Sequence, residues 1–192
     1  TEMASHKKPL ILSTGMATWQ DIQLAVNAAA SVENYEIALL QCTSLYPAPV
    51  GLSNLRAMQS MREAFGLPIG YSDHTMGDHI SLAAVSMGAC ILEKHFTLDS
   101  KLPGPDHSFG MEPKDWKEMV AKIRDIESGM GDGLKNGPRL EELEMYEKGR
   151  RSVHASVSIK KGETITREML AIKRPGLGIS PHFINQIIGR KA

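Results

Sequence analysis

The sequence predicts an α/β fold built on parallel strands, followed by a second, smaller module. Three observations predict it. Four apolar runs of strand length recur and none alternates with polar residues, the pattern of strands buried on both faces. Each run leads into a polar cluster and then into a helical pattern, and alternation of this kind requires parallel strands with helical crossovers. The strand ends fall near Thr14, Thr43, Ser72 and His95, at separations of 29, 29 and 23 residues, one βα unit each.

The runs are Pro9-Leu10-Ile11-Leu12, Ile37-Ala38-Leu39-Leu40, Leu67-Pro68-Ile69-Gly70-Tyr71 and Cys90-Ile91-Leu92. Trp19 to Ala30 reads as a helix because Ile22, Ala25, Val26 and Ala29 recur at a 3-4 spacing. Leu52 to Phe65 repeats the pattern with Leu55, Met58, Met61 and Phe65. Ile80 to Met87 is short and nearly all apolar, and Asp115 to Ile126 carries Met119, Val120, Ile123 and Ile126 on one stripe. Thr18 and Ser53 suit N-caps, and Pro113 after Glu112 suits a helix start. Met58, Met61, Met87 and Met119 read as core filler.

Helix breakers Gly131, Gly133, Gly137 and Pro138 open a charged boundary region, Asp132 to Arg151. Beyond it, Ser152 to Ile159 alternates as a strand, Lys160-Lys161-Gly162-Glu163 reads as a solvated turn, and Thr166 to Leu170 as the start of a short helix. Arg174-Pro175-Gly176-Leu177-Gly178-Ile179 is a stiff loop.

Composition narrows the function classes. Lys+Arg and Asp+Glu are both 22, so the formal charge is zero, which argues against a nucleic-acid partner. Hydrophobic residues make up 42% and charged residues 23%, so the chain is neither disordered nor a coiled coil. No apolar run approaches the ~18 residues of a membrane helix and no secretory leader opens the chain, so no membrane partner is expected. Cys42 and Cys90 lie in apolar runs and read as buried packing residues in a reducing, cytoplasmic compartment.

In parallel α/β folds, sites form at the carboxyl ends of the strands. The clusters there are Ser13-Thr14-Gly15-Met16, Cys42-Thr43-Ser44-Leu45-Tyr46-Pro47, Ser72-Asp73-His74-Thr75 and Glu93-Lys94-His95-Phe96-Thr97. His74 and His95 lie one strand-helix-strand step apart, 21 residues, so their rings can meet above neighbouring strands. Two imidazoles with carboxylates suit Mn²⁺, Fe²⁺ or Zn²⁺; two independent histidines bonded to backbone would have the same spacing. His79 and His107 compete for the role, and His6, His154 and His182 read as surface residues. The hydroxyls of Ser13, Thr14, Thr43, Ser44 and Ser72 suit either an anion such as a phosphate or helix capping. Asp106, in Pro103-Gly104-Pro105-Asp106-His107, suits a substrate hydroxyl or a plain turn.

On these motifs the chain resembles the sialic acid (N-acetylneuraminate) synthase family. The matching segments are Ile11 to Ala17, Gln41 to Pro47, Ile69 to Thr75, Leu92 to Leu98, Gly104 to His107 and Lys173 to Ile179, in order over nearly the whole chain. The resemblance implies the second half of a (β/α)8 TIM barrel over 1–131, a linker over 132–150, and the first part of an antifreeze-like (SAF) domain over 151–192. It also implies metal-dependent condensation of phosphoenolpyruvate with N-acetylmannosamine or a related aminosugar, giving a nine-carbon 2-keto sugar acid and phosphate.

By that analogy His74 and His95 bind the divalent metal, commonly Mn²⁺, and Glu93 bonds metal-bound water. Ser13, Ser44 and Ser72 contact phosphoenolpyruvate, Ser44 standing where many relatives carry Asn. Tyr46 and Asp106 hold the sugar, and Glu93 and Asp106 are the catalytic candidates. Arg174 reaches the sugar in the other subunit of a domain-swapped homodimer. The barrel's first four βα units, with the lysines and glutamate that grip phosphoenolpyruvate, are absent. The 192 residues are therefore expected to be part of a longer chain and inactive alone.

Three alternatives stand beside this reading. The same motifs serve synthases of legionaminic, pseudaminic and spore-coat sugars. A non-catalytic sugar-binding module would not need two histidines on adjacent strand ends. The third is an aldolase or a related phosphoenolpyruvate-condensing synthase on the same barrel; a Schiff-base aldolase would need a desolvated lysine, Lys94 is the only candidate, and strand alternation turns it away from Glu93 and His95, toward the helices.

Overall fold

The computed structural model describes residues 1–192, which divide into two compact units, 1–133 and 134–192. In the first, a short helix α1 (Glu2–Ser5) precedes β1 (Leu10–Ser13), α2 (Trp19–Ala30), β2 (Ile37–Cys42), α3 (Ala57–Phe65), β3 (Ile69–Asp73), α4 (His79–Ser86), β4 (Leu92–Lys94) and α5 (Pro113–Met130). The four strands form one parallel sheet in chain order, so every crossover returns the chain to the adjacent position.

The helices cover one face of this sheet. Leu10, Leu12, Ile37, Leu39, Ile69, Tyr71 and Leu92 pack there with Ile22, Ala29, Met58, Met61 and Ala84. Val85, Met111, Met119 and Ile123 form a second cluster where α4 meets α5. Strand alternation sends Ile11, Ser13, Ala38, Leu40, Cys42, Gly70, Ser72 and Glu93 to the opposite face. Gly70 is required there: a Cβ would lie 2.5 Å from both the Ile91 carbonyl oxygen and Leu40 Cδ2. On this face Ala38, Leu40, Cys42 and Ser72 of the two central strands are buried, whereas Ile11 on the edge strand β1 is 55% exposed.

Local signals account for the helix starts. Thr18 closes a full capping box with Asp21, and its hydrogen bonds hold the Asp21 carboxyl below the ordinary carboxylate range. Pro113 occupies the first turn of α5 behind Glu112. Ser53 is not a cap. It closes a 3-10 turn over Val50–Leu52, and Asn54 at φ 46 separates that turn from α3.

Every strand ends further toward the C-terminus than the apolar runs suggest, by one or two residues. The hydrophobic run stops where side chains become polar, but the backbone ladder continues beneath them, pairing Cys42 with Ser72 and Ser72 with Glu93. Two core assignments also change. Cys90 is exposed before β4, its thiol donating to the Ile69 carbonyl at 3.2 Å, and Met87 caps α4 at 39% exposure.

The second unit contains α6 (Leu143–Gly149), an antiparallel pair of β5 (Ser152–Ala155) and β6 (Leu170–Lys173), and α7 (Ile184–Ile187). The charged stretch before Arg151 is therefore partly helical. Lys148 and Glu144 pair one turn apart along α6. The strand expected to reach Ile159 stops at Ala155, because β6 offers only four partners. Thr166 to Leu170 is a 3-10 turn, Arg167–Met169, that delivers the chain into β6 rather than a helix start. No helix of either unit is long and apolar enough to cross a membrane.

Candidate functional site

The site is built at the carboxyl ends of β3 and β4. Register places Ser72 opposite Glu93, and the Ser72 hydroxyl donates to Glu93 Oε1 at 2.7 Å. One step beyond each strand, His74 and His95 emerge on the same face. Their ring centroids lie 5.2 Å apart at 74°. Ser72, His74, Glu93, Lys94 and His95 line a cleft of about 250 Å³.

His74 is held with one nitrogen committed and the other open. Nδ1 lies 2.8 Å from the Thr43 carbonyl oxygen, which only accepts, so Nδ1 carries the proton and donates. Nε2 then keeps its lone pair. The Ser72 hydroxyl oxygen sits 3.4 Å from it, but that hydroxyl spends its single proton on Glu93. His74 itself is buried, with the Cys42 thiol 3.8 Å from Nδ1. His95 is more open, and Asp106 Oδ2 approaches its Nδ1 at 3.7 Å from the loop beyond β4.

Aromatic rings wall the histidines. Tyr46 stacks on His74 at 4.3 Å between centroids and meets His95 edge-on at 5.5 Å. Phe109 lies 5.1 Å from His95 and 6.2 Å from Tyr46. The loop carrying Asp106 and Phe109 is tied back, since Met111 donates to the His95 carbonyl, Thr97 donates to the Met111 carbonyl, and Thr97 Oγ1 bonds His107 Nδ1 at 2.7 Å.

The donor set fits a transition metal between the two rings. An imidazole that donates one N–H to a backbone carbonyl and presents the other nitrogen is the usual arrangement of a metal-ligating histidine. The chain supplies one such imidazole in His74, whereas the His95 ring has Asp106 as its polar neighbour; no group of three His, Cys, Asp or Glu side chains converges to complete a cage, and Glu93 is turned to Ser72.

The structure brings Tyr46, Ser72, His74, Glu93, His95 and Asp106 to one strand-end edge. Ser13 ends β1 and is exposed. Ser44 follows β2, with Gly15 packed so closely that a Cβ there would lie 2.2 Å from Ser44 Oγ. Thr14 and Thr43 are committed to backbone, donating to the Leu40 and Leu52 carbonyls. His79 is exposed at the start of α4, and His107 is bound to Thr97. His154 is not a free surface residue: its Nε2 lies 3.0 Å from Ser152 Oγ and 3.3 Å from the Pro175 carbonyl. Arg174 lies exposed in the second unit, before Pro175.

Lys94 points to the helix-facing side, as alternation requires, and pairs with Asp73 at 3.0 Å with both side chains buried. That orientation removes it as a Schiff-base lysine facing the cleft. Sequence reasoning missed Phe109 and the Asp73–Lys94 pair. Phe109 had a weak signal, as the apolar residue following Asp106-His107-Ser108. Asp73 and Lys94 had a better one, each being the odd residue in an otherwise cleft-facing cluster.

A family model described as the NeuB family matches residues 1–135, and a model of the SAF domain matches 150–192. The chain belongs to the NeuB family. It is 45% identical over 193 residues to N,N'-diacetyllegionaminic acid synthase of Campylobacter jejuni, covering 100% of this chain and 58% of the relative. Pseudaminic acid synthase of Helicobacter pylori is 37% identical over 191 residues, covering 98% of this chain and 55% of the relative. The crystal structure of an N-acetylneuraminic acid (sialic acid) synthetase from Leptospira borgpetersenii in complex with citrate matches at TM-score 0.68 and 37% identity, over 76% of this chain and 50% of that one. This NeuB-family chain thus spans about half the length of the relatives it matches. Its two histidines, Glu93–Ser72 bond and aromatic wall form one compact constellation on β3, β4 and the loops beyond.

Proposed function

We propose that the protein to which this chain belongs condenses phosphoenolpyruvate with N-acetylmannosamine or a related N-acetylated aminosugar, giving a nine-carbon 2-keto sugar acid and phosphate. The observation that carries the reading is the convergence of His74 and His95 beside the Glu93–Ser72 bond at one strand-end edge. The named relatives, synthases of legionaminic and pseudaminic acids, support the same class of chemistry. In this reading β1 to β4 are the last four strands of a (β/α)8 barrel spanning 1–131. The connector is 132–150, and 151–192 begins an SAF domain that is exchanged between the subunits of a cytoplasmic homodimer.

His74 and His95 would hold a divalent metal, Mn²⁺ by preference, which would supply Lewis-acid polarisation to the aldehyde of the open-chain sugar. The chain's own residues do the rest. Ser13, Ser44 and Ser72 orient phosphoenolpyruvate so that its methylene carbon faces the aldehyde carbon. Tyr46 and Asp106 hold the sugar hydroxyls, and Arg174 reaches the N-acetyl end from the partner subunit.

The new carbon–carbon bond leaves positive charge at the enol-ether carbon. Water adds there, Glu93 takes the proton that water releases and the sugar alkoxide takes up a proton to become a hydroxyl; the added hydroxyl then collapses to the 2-keto group as the C–O bond to phosphate breaks, its proton leaving with phosphate. Positioning and electrostatics carry most of the rate, and no protein nucleophile is required.

The test uses the full-length protein with phosphoenolpyruvate, Mn²⁺ and a panel of aminosugars, following phosphate release and the mass of the product. Condensation with one member of the panel, lost in His74→Ala and His95→Ala, is the expected result. Wild-type activity in both variants overturns the reading.

A further inference from the structure

The helix-facing side of the same two strand ends carries a closed polar cluster that the reaction does not use. Asp73 Oδ2 accepts from Lys94 Nζ at 3.0 Å and from the Ser81 hydroxyl at 2.6 Å. Asp73 Oδ1 accepts from the Thr75 backbone N–H and the Thr75 hydroxyl, both at 2.8 Å. Lys94 Nζ also donates to the Thr75 carbonyl at 2.6 Å. The Asp73 and Lys94 side chains are 0% and 2% exposed. A buried pair of this kind adds little net stability relative to apolar side chains of the same shape, so its position asks for another reason.

The position is specific. Asp73 sits between Ser72 and His74, Lys94 between Glu93 and His95, and the two are direct partners in the β3–β4 ladder. Thr75, the residue after His74, is gripped at its N–H by Asp73 and at its carbonyl by Lys94. The His74 carbonyl is taken by the Ala48 N–H at 2.8 Å. The backbone on the exit side of His74 therefore has no free donor or acceptor with which to rotate, and the cation that closes it is the neighbour of His95.

We propose that Asp73 and Lys94 are positioning residues: their buried pair fixes the His74 backbone to β4 and so sets the orientation of the His74 ring and its spacing from His95. The metal consequence rests on the function proposed above, whereas the ring orientation does not. Ser81 ties the same carboxylate to α4, so the helix layer is bonded to this cluster as well as packed against the strands.

The experiment uses the full-length protein and compares wild type with Asp73→Asn/Lys94→Met, which removes both charges together, and with Ser81→Ala, which removes one bond without stranding a charge. Two quantities are read on folded protein: the ¹⁵N signals of the His74 ring, which report whether Nδ1 alone carries the proton, and Mn²⁺ affinity by electron paramagnetic resonance. Wild type is expected to show a single His74 tautomer. The double variant should show a tautomer mixture with Mn²⁺ bound about 10- to 100-fold more weakly, the range for lost outer contacts of a metal site, and Ser81→Ala a smaller change in the same direction. Should the double variant not fold, Ser81→Ala decides alone. A folded variant with wild-type ring signals overturns the proposal. Wild type with a single tautomer but no Mn²⁺ binding overturns the metal reading instead, and the ring signals still judge the positioning role.

Discussion

The two faces of the sheet end in opposite states although neighbouring residues of the same strands build them. On the helix-facing side, Asp73 and Lys94 are buried and each is bonded to several partners. On the other side, His74 keeps Nε2 open, the His95 ring has only a distant carboxylate as its polar partner, and Tyr46 and Phe109 pack against the two rings. A saturated polar cluster rigidifies, while an unsaturated one is available to a ligand. One residue of register separates the two, so a strand end can carry scaffold and site at once.

The largest break in this contrast is Lys94→Met. Removing one partner of a buried pair leaves the Asp73 carboxylate without its cation among the Thr75 and Ser81 donors, and in the full-length protein unfolding should become easier by about 3–5 kcal/mol, read from denaturant midpoints. A change under about 1 kcal/mol would show that the helix-facing cluster is not closed. His74→Ala and His95→Ala should do the reverse. Condensation should fall by about a hundredfold or more, the several kcal/mol that a polarising metal supplies, while thermal stability moves little.

Gly70→Ala probes the packing of the cleft-side face at the sheet centre. The added methyl meets backbone and Leu40 at 2.5 Å, so a cost of about 1–3 kcal/mol is expected from overpacking, measured in the same unfolding assay.

The smallest effect belongs to an exposed counterpart of the buried pair. Lys122 Nζ bonds Asp78 at 2.6 Å, but its side chain is 51% exposed. That hydrogen bond holds the Asp78 carboxyl below its ordinary range. The contribution is present above the unfolded value near 4 and disappears as pH falls through the lower folded value. Lys122→Ala should therefore change stability by less than about 1 kcal/mol at neutral pH. The difference from wild type should vanish in strong acid, checked by unfolding at neutral pH and near pH 2.

Much of this was legible along the chain. Thr18 and Pro113 announced their helices because capping and proline geometry are local. The recurring apolar runs fixed four parallel strands, since only crossover helices can connect them in chain order. The 21-residue step from His74 to His95 placed both rings on one face, because strand alternation is itself a sequence property. Lys94 was assigned to the other side on the same ground.

Tertiary structure decided the rest. Hydrogen-bond pairing extended each strand beneath polar side chains, which hydrophobicity cannot register. Cys90 and Met87 lie in apolar sequence yet reach the surface, because burial depends on what packs opposite rather than on chain neighbours. Which histidine nitrogen stays open was set by a carbonyl 31 residues away, and Phe109 came to the His95 ring through a loop held by Thr97 and Met111. Periodicity assigns a side chain to a face of its strand; only long-range contacts determine whether it is saturated there or left free to bind.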